Sequence, residues 1–277
     1  KKMRLKKNQK YNNRMKLIYR FFSAAVLSLA VLASCSDAPQ MYVPEGYELV
    51  WSDEFDGDVL NRDYWTPEIG HGQGGWGNAE LQYYTDREEN LAVRDGKLVI
   101  TARKESYEGA DVTSARIKTL DKVTFLYGYV VASIKLPKTA DGLWPAFWMM
   151  GNDITELGWP NCGETDVLEM GHADGIKAGT QEQFLNGACH WGVPHHQFHA
   201  NHITHDYSVQ DGEFHTYTCI WDEEYIRMYI DLEKRPSAAP YFEMKIEDFG
   251  NGEFRKDNFI LFNLAVGGNF PAIWDIN

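Results

Sequence analysis

The sequence predicts an all-β fold, a two-sheet antiparallel sandwich of jelly-roll type, and three observations carry that reading. Apolar and polar residues alternate with period two in run after run, with turn dipeptides such as Asp95-Gly96 and Asp211-Gly212 between them. No stretch of a dozen residues keeps a 3.6-residue period between helix caps. No internal repeat is present, which sets propellers and solenoids aside.

In chain order, the first strand is Lys97–Ala102, a β-prone run leaving the Asp95-Gly96 turn. Tyr127–Leu136 follows, rich in aromatic and β-branched residues, and then Trp144–Met150, an apolar run too short for a helix. Asp166–Met170 carries two acids among apolar neighbours. Phe214–Trp221 leaves the second turn, and Tyr225–Leu232 and Phe259–Val266 complete the set. Long Gly-rich and aromatic connections separate them, as in other sandwiches.

The chain has 277 residues, of which 44% are hydrophobic and 24% charged, enough for one globular domain with a substantial core and inconsistent with disorder. Residues 1–34 hold nine of the 27 Lys and Arg and no acid. The remainder carries 18 basic against 40 acidic side chains, a net −22. Such a surface repels phosphate backbones and anionic membranes, which excludes nucleic acid and favours a neutral polymer. Nine Trp, fifteen Tyr and fourteen Phe supply rings against which the apolar faces of sugars can lie.

The uncharged run Phe21–Ser34 is shorter than the ~20 residues a membrane-spanning helix needs, and with the basic residues before it reads as a signal peptide over residues 1–34. Met15-Lys16 would make a compact start, which marks residues 1–14 as a mis-assigned upstream extension. Leu32-Ala33-Ser34-Cys35 resembles a bacterial lipobox, implying a lipid on Cys35, a tether over residues 35–46 and export to the cell envelope. Membrane contact is then through the lipid alone, and the expected domain spans residues 47–277 as a monomer. Cys162, Cys189 and Cys219 remain, an odd number, read as buried free thiols.

Chemistry is concentrated in Gly163-Glu164-Thr165-Asp166-Val167-Leu168-Glu169-Met170, three acids within six residues of an apolar strand. On a regular strand Glu164 and Asp166 share a face and Glu169 points away. One extra residue near Val167-Leu168, a β-bulge, brings Glu169 back to that face and turns the bulged residues to the core. The outer backbones are then ~13 Å apart, and inward-leaning side chains reach the ~5–5.5 Å of retaining glycosidases. One Glu must be ionised to attack an anomeric carbon while the other keeps a proton for the leaving oxygen, a division that mutual repulsion favours.

The run Glu164-x-Asp166-x-x-Glu169 resembles the signature of glycoside hydrolase family 16 in its bulged, laminarinase-like form. The resemblance extends through Leu49–Phe55, Gly74–Tyr84, Gly142–Gly151, Trp159-Pro160 and Leu264–Gly268, in the order found in that group. It implies a concanavalin-like jelly roll with a concave substrate sheet, Glu164 as nucleophile, Asp166 as its helper and Glu169 as acid/base. It also implies Trp144, Trp148 and Trp159 on the donor side of the cleft, with Asn78, Glu80 and Arg116 bonding sugar hydroxyls. His190-Trp191 would lie on the strand beside the acids. The implied activity is endo-acting, retaining hydrolysis of internal β-1,3 bonds in laminarin-type or mixed-linkage β-glucans, with no cofactor for catalysis. A preference for mixed 1,3-1,4 linkages and a non-catalytic glycan-binding role on the same fold are the alternatives. The acid cluster argues against the second, because a binder gains nothing from crowded like charges.

Two departures from that pattern stand out. The group's last strand, which holds an Asp for a structural calcium, is missing here, leaving a structural calcium open. His195–His205 carries five further His, read as a solvated loop at the cleft edge and not as a metal site.

Overall fold

The computed structural model describes residues 45–139, 142–192, 195–247 and 251–276. The leader, Cys35 and the tether as far as residue 44 lie outside the described residues. Ten strands frame the site: β1 (Arg116–Lys118), β2 (Gly128–Ile134), β3 (Leu143–Gly151), β4 (Glu164–Glu169), β5 (Phe184–Trp191), β6 (Gln197–Thr204), β7 (His215–Trp221), β8 (Tyr225–Ile230), β9 (Phe242–Lys245) and β10 (Asn258–Val266). The larger sheet runs Thr66–Pro67, β1, β10, β3, β4, β5, β6, with Thr124–Phe125 beside β10. The smaller runs β9, β8, β7, β2. Every pairing within these two sheets is antiparallel. Among the described residues helix is confined to short pieces such as Ile154–Leu157 and Ala173–Ala178, in keeping with the lack of a long 3.6-residue period there.

Alternation along each strand builds the core. Phe147 and Met149 of β3, Leu185 and Cys189 of β5, and Tyr217, Cys219 and Trp221 of β7 all enter one apolar cluster between the sheets. Gly187 belongs there for lack of space: a Cβ on it would stand 2.7 Å from Met228 Sδ. Cys162, Cys189 and Cys219 are buried and unpaired.

The bulge lies where the spacing of the acids requires it. Phe147 pairs with Leu168 and Trp148 with Asp166, which leaves Val167 without a partner on β3; the register with β5 also shifts between Asp166 and Glu169. Val167 and Leu168 both enter the core cluster. The Val167 carbonyl, released from the ladder by the bulge, accepts a hydrogen bond from the Tyr241 hydroxyl.

The His-rich segment is not the loop expected of it. Gln197–Thr204 is a full edge strand, β6, paired with β5 from Phe184–Thr204 to Trp191–Gln197. Apolar alternation is weak there because most of its residues on both faces are exposed, so the pattern that marks half-buried strands is missing.

Candidate active site

The three acids converge at the centre of β4. Glu164 pairs across the sheet with His190, Asp166 with Ala188 and Glu169 with Asn186, so these six side chains share one face. Ligating atoms of Glu164, Asp166 and His190 all lie within 4.8 Å of one another. That is the one cluster of three such side chains among the described residues.

The two outer carboxyls have unlike surroundings. Burial raises Glu164 to about 7, against the opposing pull of the Arg116 charge and a hydrogen bond from Trp159. Burial raises Glu169 further, to about 8, with the Glu164 charge adding to it and a hydrogen bond from Trp144 Nε1 to Oε1, 3.0 Å, opposing. Asp166 is pushed well up by burial and then by both neighbours. The Arg116 charge thus favours the ionised form of Glu164, and a charge there disfavours ionisation of Asp166 and Glu169, the direction of division that double displacement needs.

His190 is driven down to about 4 by burial and secondarily by His196, so its ring is neutral at neutral pH. Its Nε2 lies 3.5 Å from Asp166 Oδ2 and its Nδ1 lies 3.0 Å from His196 Nε2. The neutral ring thus bridges Asp166 and His196, presenting one nitrogen to each. His196 also packs on Trp159, with ring centroids 4.8 Å apart.

Arg116 sits between the Trp76 and Trp148 rings at 4.6 and 4.8 Å and pairs with Glu68 at 2.5 Å. Glu80 is buried. It accepts from Gln82 Nε2 at 2.6 Å, from the Tyr84 hydroxyl at 3.0 Å and from Asn78 Nδ2 at 3.5 Å. Burial raises it, while Arg116 holds it down.

The three tryptophans expected in the cleft have different situations. Trp159 is half exposed, at 50%, with His196 against its ring. Trp144, only 8% exposed, stacks on Phe270 and donates to Glu169. Trp148, at 9%, pairs with Asp166 across the sheet, donates to Asn263 Oδ1 at 2.7 Å, packs with Met150 and Leu261 and carries the Arg116 guanidinium over its ring. Trp191 departs from expectation. It packs against the inter-sheet core and Phe254 because strand parity turns it away from His190. Glu68 and Phe270 were not singled out by the sequence, and Trp76 and His196 entered only as members of the Gly74–Tyr84 and His195–His205 segments, without a site role. All four arrive from separate loops and strands, and no local spacing marks their place at the site.

A family model of the glycosyl hydrolases family 16 matches residues 78–240. The chain belongs to this family. It is 36% identical over 250 residues to the glucan endo-1,3-beta-glucosidase of Cryptopygus antarcticus, covering 87% of this chain and 86% of that one. It is 36% identical to the clotting factor G alpha subunit of Tachypleus tridentatus over 86% of this chain, but spans only 32% of that relative, about a third of its length. A family 16 enzyme of the Bacteroides ovatus mixed-linkage glucan locus, solved with a G4G4G3G product, superposes with a TM-score of 0.71. It shares 38% identity, covering 83% of this chain and 91% of that one. Retention of anomeric configuration is general to family 16, and its glycosidases use no cofactor for the reaction.

The raised carboxyls have a cost that depends on pH. An unfolded glutamate loses its proton near 4.5, whereas folded Glu169 holds it to about 8, so between these values the folded state binds more protons and stability falls as pH rises. Glu169→Gln removes that penalty. We expect its melting temperature to exceed wild type by at least about 3 °C at pH 8, with the gain vanishing at pH 4. Calorimetry at the two pH values checks this, and an equal gain at both would refute it.

Proposed function

We propose that the protein is an endo-acting, retaining β-glucanase that hydrolyses internal β-1,3 bonds of laminarin-type or mixed-linkage glucans. The observation that carries the reading is the bulged strand that sets Glu164, Asp166 and Glu169 on one face, with the Arg116 charge acting on Glu164. Glu164 attacks the anomeric carbon while Glu169 gives its proton to the leaving oxygen. The glycosyl ester so formed is opened by a water that Glu169, now ionised, deprotonates. Asp166 and the neutral His190 hold the nucleophile's surroundings, and Arg116 stabilises its charge before attack.

A preference for mixed 1,3-1,4 linkages is the second reading, favoured by the likeness to the Bacteroides ovatus enzyme. Oligosaccharide profiles from a pure β-1,3-glucan and from a mixed-linkage glucan separate the two. We expect a fast drop in viscosity with a ladder of short products on the first. Failure to release reducing ends from either polymer would overturn the proposal and favour a glycan-binding role. The lipobox-like segment supports anchoring of the enzyme in the cell envelope through Cys35. Continued membrane association of a Cys35→Ala variant would refute that part.

A further inference from the structure

We propose that Glu164, Asp166 and His190 form a binding site for a divalent transition ion of the zinc class, and that an ion held there blocks the reaction. Binding stands on the geometry of the three side chains; the inhibitory part rests on the glucanase reading above.

Donors of the right kind meet at this point. Glu164 and Asp166 share a face of β4, and His190 stands beside Glu164 on β5. A carboxylate oxygen from each acid and a ring nitrogen of His190 lie within 4.8 Å of one another. His190 Nε2 is 3.5 Å from Asp166 Oδ2. That is long for a hydrogen bond, but it is close to the ~3.4 Å edge of a tetrahedron whose corners lie ~2.1 Å from a zinc ion. Rotation about the Glu164 side-chain bonds brings its oxygen to the third corner, and the fourth is left for water from the cleft.

Two further observations point to a cation. Asp166 is only 5% exposed, yet no hydrogen bond from a described residue reaches its carboxyl, whose neighbours are His190 and the two glutamates. A buried carboxyl in such company calls for a partner. Positive charge is also scarce: Arg116, the cation that acts on Glu164, is already paired with Glu68. A divalent ion supplies what three clustered acids lack.

The imidazole is held as a metal ligand is held. Its Nδ1 lies 3.0 Å from His196 Nε2, and the rings of His196, Phe198 and Trp159 surround it at 5.3, 5.9 and 6.3 Å. An outer partner on the second nitrogen fixes the ring and directs Nε2 at the ion. One imidazole with two carboxylates suits zinc, whereas calcium takes roughly six to eight oxygens. His199 and His202 of β6 stand outside the set, the first against the Glu243 carbonyl and the second stacked on Phe184. With zinc bound, the Glu164 lone pairs that attack the anomeric carbon are engaged by the metal, so the glycosyl ester does not form. No covalent bond changes, and a chelator that removes the ion restores turnover.

Titration calorimetry of the full chain with zinc chloride, in the absence of substrate, is expected to show a single ion bound, with a matching rise in melting temperature. His190→Gln and Asp166→Asn should each weaken binding by at least about 100-fold, and His196→Ala, which removes the outer partner, by ~10–100-fold. His199→Ala and His202→Ala should bind zinc as wild type does. Cobalt(II) gives a check that needs no variant: bound to wild type it should show the intense visible absorption of a four-coordinate ion, and zinc should displace it. The weak absorption of a six-coordinate ion, undiminished affinity in His190→Gln and Asp166→Asn, or losses that follow His199 and His202 would overturn the site. Turnover of laminari-oligosaccharides should fall in proportion to the zinc bound and recover with EDTA; full turnover by the zinc-loaded enzyme would overturn the inhibitory role. A metal-free wild type that cleaves no glucan would instead overturn the glucanase reading, with the calorimetry still deciding the site.

Discussion

Glu164→Ala is expected to lower hydrolysis of every β-glucan substrate by at least about 10⁴-fold, because without the attacking carboxylate the double displacement cannot begin. The surroundings of Glu164 predict more than a loss. Arg116 and Trp159 favour a negative charge at that spot, and truncation leaves room for a small anion in the carboxylate's place. Azide should therefore restore turnover of an activated aryl β-glycoside: it attacks the anomeric carbon from the nucleophile's side as the aryl oxide departs. A single displacement inverts the centre, so the product is the α-glycosyl azide, which proton NMR identifies. Retained activity in the variant, or a β-azide, would remove Glu164 from the nucleophile's role.

Glu169→Ala should separate the two half-reactions. Natural glucan has a poor leaving group that needs the proton, so its cleavage is expected to fall by ~10²–10⁴-fold. An activated aryl glycoside needs no such help and should form the glycosyl ester quickly. That ester then waits for a base that is gone, giving a burst of aryl oxide followed by a stall. Azide requires no deprotonation, so it should relieve the stall through a second inversion and yield the β-glycosyl azide. The opposite anomers from the two variants are a stringent check on the assignment, since exchanging the roles of Glu164 and Glu169 would exchange the products. Absence of a burst in Glu169→Ala would count against its place as the acid/base.

Most of the framework was legible because the strands that face the core are amphipathic in sequence. Phe214–Trp221 and Tyr225–Leu232 alternate visibly and appear as His215–Trp221 and Tyr225–Ile230. The bulge was legible too, for a reason of parity: three acids can share a face at that spacing only if one residue drops out of the ladder. What escaped is what alternation cannot encode. β6 buries little of either face, so its pattern resembles a polar connection although its backbone is fully paired with β5. Trp191 follows a site residue in sequence and for that reason faces the other way. The partners that set the chemistry, His196 on His190 and Phe270 on Trp144, are brought in by the tertiary fold. A chain position says nothing about which distant ring it will meet.

The unpaired Val167 gives the catalytic strand an uneven tolerance for insertions and deletions. A residue gained or lost between Gly151 and Glu164 moves all three acids together and can be absorbed in the connection from β3. A residue inserted between Asp166 and Glu169 sends Glu169 to the wrong face. Deletion of Val167 is different again, since it converts the spacing to plain alternation and keeps the three acids aligned, leaving a gap in the core and a Tyr241 hydroxyl without its acceptor. Two lineages of such a strand, one residue apart in length, could thus interconvert in a single codon step while the reaction centre stayed in place, with the burden of adjustment falling on the packing behind it.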